Sequence, residues 1–234
     1  MTARAATATT NTLDTGAPGV ISATIVSLYL EFCETLGLSR AQTLRAAGLS
    51  ADDLAPASGW VEQATLERLF EYRLAQQTPS RGLQLARYCM DRRLLSTLPG
   101  MLMLSCPSLA DFAHACNRYS ALASNLFSFD LRYKPGEVHW SLEMRYTDPE
   151  ILRDNVEWLL ACLALQVHAM DRSALREVHM THAPLHNGAT PDSLYQDLFP
   201  VPVRFAQKTN ALLLDPRRMQ QRAGTGDPMV FESL

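Results

Sequence analysis

The stretch LFSFDLRYKPGEVHWSLEM, residues 126–144, decides the fold because it places two alternating segments around a turn. Apolar and polar residues alternate on both sides of Pro135-Gly136, a dipeptide typical of turns. Successive side chains of a strand point to opposite faces of a sheet, so the segments share one apolar face. That face would carry Phe127, Phe129, Leu131, Tyr133, Val138, Trp140, Leu142 and Met144. The stretch therefore predicts a β-hairpin with one buried face.

The sequence before this hairpin has a helical period instead. Apolar residues recur three or four positions apart in segments that predict helices. Ser39 with Gln42 resembles a capping box, and Ser108 with Asp111 is a second capping signal. The predicted helices cover 20–37, 39–48, 61–77, 80–95 and 109–124.

The sequence after the hairpin mixes both patterns. Asp148-Pro149 predicts the start of a long apolar helix that runs to Met170. A third strand follows over 175–184, and a short helix runs from Thr190-Pro191 to near residue 199. Residues 199–219 read as a second hairpin, with strands at about 202–206 and 211–214, before Asp215-Pro216 caps a final helix.

This element order predicts an α+β fold, in which a helical N-terminal half packs on a small, mainly antiparallel sheet. The chain has 234 residues and is 47% hydrophobic, enough for one large domain or two small ones. Its net charge of −3 argues against direct binding of DNA or RNA by this segment. The five cysteines are scattered singly, which favours buried thiols in a reducing compartment.

The chain start is rich in Ala and Thr and has no apolar core like that of a signal peptide. We interpret residues 1–19 as a disordered tail. No apolar run approaches the roughly 20 residues that cross a membrane. The sequence therefore predicts a cytoplasmic protein with no membrane partner.

Sequence motifs for catalysis and for cofactors are missing. The chain has neither G-x-S-x-G nor a short catalytic-cysteine signature, and neither G-x-G-x-x-G nor a P-loop. We therefore predict no catalytic residue and no cofactor. His179, His182 and His186 lie close in sequence, but on a strand the first two point to opposite faces, so we predict no metal site.

Residues 42–54 have the helix–Gly–helix rhythm of a helix-turn-helix. The second helix would carry Asp52 and Asp53 where DNA phosphates lie, and Pro56 would end it after about one turn. Ordinary helix packing is the better interpretation of this segment.

Five residues are candidate ligand contacts because they bring polarity or aromatic surface near the predicted sheet: Arg132, His139, Trp140, Glu157 and Trp158. Glu157 lies in an apolar helix, so its carboxylate must face water or find a partner, either a ligand or an arginine. Arg132 and His139 belong to the polar face of the first hairpin. That face is a solvated surface if nothing covers it, and a pocket wall if another element does.

Four stretches in this order resemble one known family, the arabinose-binding-type N-terminal sensor domain of AraC-like transcriptional regulators. They are LGLSRAQTLRAAGLSADDL (36–54), GLQLARYCMDRRLLSTLPGMLMLSCPSLADFAHACNRYSAL (82–122), EVHMTHAPLHN (177–187) and YQDLFPVPVRFAQKTNALLLDPRRM (195–219). The resemblance covers roughly residues 20–220.

The resemblance implies a regulatory domain that binds a small effector and often forms homodimers. It also implies DNA binding through a separate C-terminal helix-turn-helix domain that is absent from this chain. On this basis residues 20–222 form the sensing domain, and residues 223–234 begin a linker. The resemblance does not identify the effector, and arabinose binding does not follow from it.

Two other classes of function stay open. A small cytoplasmic enzyme would need convergent titratable groups, such as His139, Glu143 and a serine, in one pocket. A dimerisation module without a ligand would have no cavity large enough for a small molecule.

Overall fold

The computed structural model of the chain describes residues 17–55, 59–76, 82–91, 105–184 and 193–222. Its helices are α1 (Ala23–Thr35), α2 (Arg40–Ala47), α3 (Gln63–Ala75), α4 (Gly82–Asp91), α5 (Leu109–Tyr119), α6 (Pro149–Met170) and α7 (Ser193–Leu198). Its strands are β1 (Val20–Ser22), β2 (Trp60–Glu62), β3 (Phe127–Lys134), β4 (Glu137–Met144), β5 (Leu175–His179), β6 (Val203–Arg204) and β7 (Asn210–Leu214). Short 3-10 turns cover Asp52–Leu54 and Ser120–Leu122.

The main sheet has five strands in the order β3-β4-β7-β5-β6, and only β5 and β6 run parallel. The α+β prediction is confirmed. The first hairpin is also confirmed, because β3 and β4 pair in register from Phe127 opposite Met144 to Lys134 opposite Glu137. Its apolar face is buried from Phe129 to Leu142, but Tyr133, near the turn, is 50% exposed.

The prediction of a second hairpin in 199–219 is wrong. Both strands exist, but β6 pairs in parallel with β5, while β7 lies between β4 and β5. The segment between β6 and β7 passes around the end of β5, where Gln207 N–H donates to the Met180 carbonyl at 2.9 Å. The physical reason is burial: Ala211 to Leu214 are all buried, so β7 needs a neighbour on both sides.

Two predicted helix boundaries also differ. Val20–Ser22 is a strand paired with Trp60–Glu62, and α1 starts only at Ala23, where the Ser22 hydroxyl accepts from Thr24 N–H. Residues after Asp215 form hydrogen-bonded turns up to Arg222, not the predicted helix.

Of the caps predicted at Ser39, Ser108, Asp148 and Asp215, those at Ser108 and Asp148 are met, and no helix follows Asp215. The Ser108 hydroxyl accepts from Asp111 N–H, and the Asp148 carboxylate accepts from Glu150 and Ile151 N–H at 2.9 Å. Ser39 occupies the cap position of α2, but its side chain makes no capping bond. The predicted capping box is therefore wrong.

Helix α6 is the centre of the fold. It contacts β4, β5 and β7 on one side and α3 and α4 on the other. Helix α4 approaches α6 most closely at Gly82, where an added Cβ would lie 1.7 Å from the Asp154 carbonyl oxygen. Glycine lets two helix backbones meet there. The helical layer is thus joined tightly to the central helix.

All five cysteines are free thiols; Cys33, Cys89, Cys106 and Cys162 are buried, as predicted, and Cys116 is half-buried. Burial raises the pKa of Cys33 to about 11 and that of Cys89 to about 12.

Candidate functional site

Helix α6 carries two buried carboxylates in an otherwise apolar setting. Asp154 and Glu157 are three residues apart, so they lie on neighbouring parts of the helix surface. Glu157 is fully buried, with 0% of its surface exposed, and Asp154 is nearly so. Buried carboxylates need charge or hydrogen-bond partners, and these two find them on different elements.

Asp154 forms an ion pair with Arg73 of α3, through Nη2 and Oδ2. Tyr29 of α1 belongs to the same group, and burial raises the pKa of its hydroxyl well above the ordinary value. Burial also raises the pKa of Asp154, although the Arg73 guanidinium opposes this effect. The pair therefore joins α3 to α6 in a poorly solvated environment, where breaking it is costly.

Glu157 has its partners on the sheet side of α6. The Tyr195 hydroxyl of α7 donates to Glu157 Oε1, and His182 Nε2 lies 3.6 Å from the same oxygen. The Tyr195 ring packs edge-on against Phe205, with centroids 5.1 Å apart. Burial lowers the pKa of His182 below its ordinary value. This cluster ties α6 to α7 and to the segment after β5.

Two cavities of about 20 Å³ each lie in the helical layer beside α6. They share Tyr29, Phe70, Leu85 and Asn155 in their walls. The first ends at the Arg73–Asp154 pair, while the second is lined by Ile25, Leu66, Cys89, Trp158 and other apolar side chains. A volume of this size holds about one water molecule. The two cavities together provide a charged end and an apolar end.

The structure separates the five residues that the sequence nominated. Arg132 and His139 are paired opposite each other on the outer face of the hairpin, and 70% of the Arg132 side chain is exposed. The His139 ring lies near His179, with centroids 6.4 Å apart, and bonds Glu137 at 2.7 Å. Neither residue lies near the cavities beside α6.

Trp140, Glu157 and Trp158 are all buried, in three different surroundings. Trp140 is a core residue whose indole N–H donates to Asn117 Oδ1 at 3.1 Å and whose ring packs edge-on against Phe112. Glu157 makes a buried polar contact, but its described contacts are to Tyr195 and near His182, and the arginine that the sequence suggested as one possible partner is not among them. Trp158 lines the second cavity.

Sequence reasoning missed Tyr29, Arg73 and Asp154. A signal existed for Arg73, because it falls seven residues after Leu66 on the stripe that includes Leu69 and Phe70. Asp154 stands three residues after the buried Ile151 and four before Trp158, again on an inward stripe. Opposite charges on the buried faces of two helices, here Arg73 on α3 and Asp154 on α6, are the pattern of a buried ion pair.

Two other sequence interpretations concern sites of binding. His179 lies on the outer sheet face and His182 against Glu157, while His186 lies outside the described residues. Where side chains are described, no three His, Cys, Asp or Glu residues are placed to hold a metal ion. The helix-turn-helix rhythm of 42–54 ends in the single 3-10 turn Asp52–Leu54, too short for a recognition helix.

The family model for the arabinose-binding domain of AraC transcription regulators, N-terminal, matches residues 37–223. This chain belongs to that family. The solved structure of the transcriptional regulator CdpR from Pseudomonas aeruginosa is similar, with a TM-score of 0.55 and 15% sequence identity. The similarity covers 87% of this chain and 60% of CdpR, so the chain spans less than two thirds of that regulator. A comparison with curated proteins found no significant match.

This member of the AraC family has, in the part of the chain described here, no helix long and apolar enough to cross a membrane.

Proposed function

We propose that the chain is the effector-sensing domain of a transcription regulator, and that a small molecule binds between α6 and the helices α1, α3 and α4. Membership of a family of regulator domains supports a sensing role. The observation that carries the location is the buried Arg73–Asp154 pair at the end of a cavity whose other walls are mostly apolar. Ligand sites are mostly apolar with a few well-placed polar groups.

The small size of the cavities means that effector binding requires a change in the helical layer. With about 20 Å³ in each cavity, an effector enters only if the helices separate from α6. Binding therefore favours a more open arrangement of the helical layer. Because α6 also contacts β4, β5 and β7, the change reaches the sheet. An effector would act by shifting the population between these two arrangements.

The chemistry of the walls limits the effector. Arg73 can bind a carboxylate or phosphate of the ligand if the ligand replaces Asp154 as its partner. Trp158, Leu66 and Phe70 offer surface for an apolar portion. We therefore expect a small amphipathic acid. Of the five residues that the sequence nominated, Trp158 is the one that this site uses.

The remaining parts of the proposal concern the whole regulator. We propose that the sensing domain spans residues 20–222 and acts in the cytoplasm as a homodimer. DNA binding would belong to a separate helix-turn-helix domain that a linker starting in 223–234 would join. Residues 17–19 of the proposed tail already contact the domain, since the Ala17 carbonyl accepts from Arg145 and the Gly19 carbonyl from Gln63 N–H.

Thermal-shift screening of the purified chain against a library of small metabolic acids tests the sensing role. A ligand at one hundred times its dissociation constant stabilises the folded state by about 2.7 kcal/mol. We expect at least one acid to raise the melting temperature in a concentration-dependent manner. If no acid does so, and neutral and cationic compounds also fail, the sensing proposal is wrong.

One observation favours a second candidate, a dimerisation module without a ligand. The two cavities are each too small for any organic effector as they stand. This candidate predicts a dimer whose melting temperature no small molecule changes. The screen above therefore separates it from the sensor.

A further inference from the structure

Strand β3 forms one end of the main sheet, and in the described part of the chain its only strand neighbour is β4. Lys134 and Glu137 flank a two-residue turn, so they form a hydrogen-bonded pair. Pairs alternate along an antiparallel ladder, so Arg132 and Asp130 also bond to β4. The N–H and C=O groups of Phe129, Leu131 and Tyr133 therefore point away from the sheet, towards the free edge.

The sequence of this edge matches itself when a second copy runs antiparallel. A two-fold axis at Leu131 sets Asp130 opposite Arg132 of the second copy, and Arg132 opposite its Asp130. The same register sets Phe129 opposite Tyr133, an aromatic pair of the kind that stabilises sheets. It also sets Leu131 opposite Leu131 of the second copy, so that their outward-pointing backbone N–H and C=O groups can bond to each other. Charge, side-chain type and hydrogen-bond direction all agree in this register.

Neighbouring registers lack this agreement. An axis at Asp130 or at Arg132 sets two identical charges opposite each other, and an axis at Tyr133 sets Arg132 opposite Lys134. Like charges directly opposite in a sheet are destabilising. Charges on an edge strand ordinarily prevent pairing. Here they alternate in sign, so of the registers centred on residues 130 to 133 only the one centred on Leu131 sets opposite charges against each other.

Two exposed hydrophobic side chains lie on or next to this strand. The structure describes three exposed large hydrophobic side chains, Trp60, Leu122 and Tyr133. Tyr133, 50% exposed, lies on β3, and Leu122, 54% exposed, belongs to the 3-10 turn that contacts β3. Two-fold pairing through β3 brings both side chains close to the second copy. Their burial would add to the backbone hydrogen bonds.

We infer that two copies of this chain associate through β3, antiparallel about Leu131, so that their sheets become one continuous sheet. This inference identifies β3 as the interface of the homodimer in the proposed function. It depends only on the proposal that the chain forms a homodimer. The proposed effector site lies among α1, α3, α4 and α6, and no residue of β3 lines its cavities. Dimerisation and effector binding can therefore fail separately.

Charge reversal at the two paired positions tests the register, with sedimentation equilibrium as the measurement. Asp130→Arg gives a strand with two cations, and Arg132→Asp gives one with two anions. Each variant should dimerise at least about tenfold more weakly than the original chain, since both symmetric pairs become repulsive. An equimolar mixture of the two should form a heterodimer, because each Arg then faces an Asp. The double variant Asp130→Arg/Arg132→Asp should regain the homodimer.

Circular dichroism and thermal melts would show whether the variants fold, which is expected for Arg132→Asp because 70% of the Arg132 side chain is exposed, whereas Asp130 is 17% exposed and pairs with Arg132 in the same chain. Arg204→Asp, on the opposite edge strand β6, is the matched control and should dimerise like the original chain. The inference is overturned if the original chain is monomeric, if Arg132→Asp dimerises normally, or if the mixture stays monomeric. A metabolic acid that still raises the melting temperature of the monomeric variants would leave the sensing proposal standing.

Discussion

Arg73 of α3 and Asp154 of α6 form a buried ion pair that closes one end of a cavity between the helical layer and the central helix. Neither charge faces water, so each is held in place by the other. Such a pair is costly to break, but a ligand that carries a matching charge can take the place of one partner. The pair is therefore the feature on which the account of this domain depends.

Removing one member of the pair should destabilise the fold. Arg73→Met leaves the Asp154 carboxylate buried without its cation, and we expect a loss of about 3–5 kcal/mol in the free energy of unfolding. The double variant Arg73→Met/Asp154→Leu removes both charges and should lose much less, or even gain stability. Urea denaturation measures the free energy of unfolding of the original chain, the single variant and the double variant. Arg68→Met, at an exposed position of α3, is the control; it loses hydrogen bonds to the Ala47 carbonyl and the Thr65 hydroxyl and should cost no more than about 1.5 kcal/mol. Equal effects of the single and double variants would contradict the pairing.

Helix packing at Gly82 gives a second prediction. In Gly82→Ala the new methyl group would meet the Asp154 carbonyl and the Trp158 backbone nitrogen, so α4 must move away from α6. Because backbone atoms cannot rotate aside, we expect a loss of about 1–3 kcal/mol or more in thermal or urea unfolding. Arg87→Ala, on the exposed side of α4, should have little effect. A stable Gly82→Ala variant would show that the two helices are not fixed at this point.

The pH dependence of stability should carry a contribution from His182. Burial lowers the pKa of His182 in the folded chain, so the unfolded chain binds the proton more readily. The free energy of unfolding therefore falls as the pH decreases from about 6.5 through the lower folded pKa. Glu157, Arg153 and Asp154 face or influence this ring. His182→Gln should flatten the acid side of the stability curve, measured by urea titrations between pH 7 and pH 5. An unchanged slope would mean that His182 has the same pKa in the folded and the unfolded chain.

Cysteine reactivity should report on the second cavity. Burial raises the pKa of Cys89 to about 12, so at pH 8 its thiol is almost entirely protonated and shielded. We expect iodoacetamide to modify Cys89 only when the helical layer opens, and mass spectrometry of digests would give the rate. An effector that enters between the helices should change that rate, whereas the rate at Cys106, which does not line the cavity, should stay constant. Immediate modification of Cys89 in the native chain would contradict the burial.

Local chemistry made much of the fold predictable. The alternation around Pro135-Gly136 specified the β3–β4 hairpin, and Asp148-Pro149 specified the start of α6. The pairing of β6 and β7 was not predictable in this way, because it depends on how much of β7 is buried by strands distant in sequence. The three-residue strand β1 is likewise defined by its partner β2, about forty residues away, and not by its own pattern.

The candidate site follows the same rule. An acidic residue in an apolar helix is visible in the sequence, so Glu157 was correctly expected to need a buried partner. Its partners Tyr195 and His182 were not visible, because α7 and the segment after β5 reach Glu157 only through the tertiary fold. Trp140 illustrates the opposite case: its aromatic surface suggested a ligand contact, but Phe112 of α5 covers it in the core. Which face of a sheet another element covers cannot be read from one strand.

Isothermal titration calorimetry of an acidic effector, taken from the thermal-shift screen, shows directly whether the effector binds at the Arg73–Asp154 pair. The original chain and the double variant Arg73→Met/Asp154→Leu are titrated side by side, with Arg68→Met as the control. The account predicts that the double variant folds but binds at least about tenfold more weakly, because the cation that receives the acid is gone. Equal affinity in the folded double variant would contradict the account and would place the effector elsewhere in the domain.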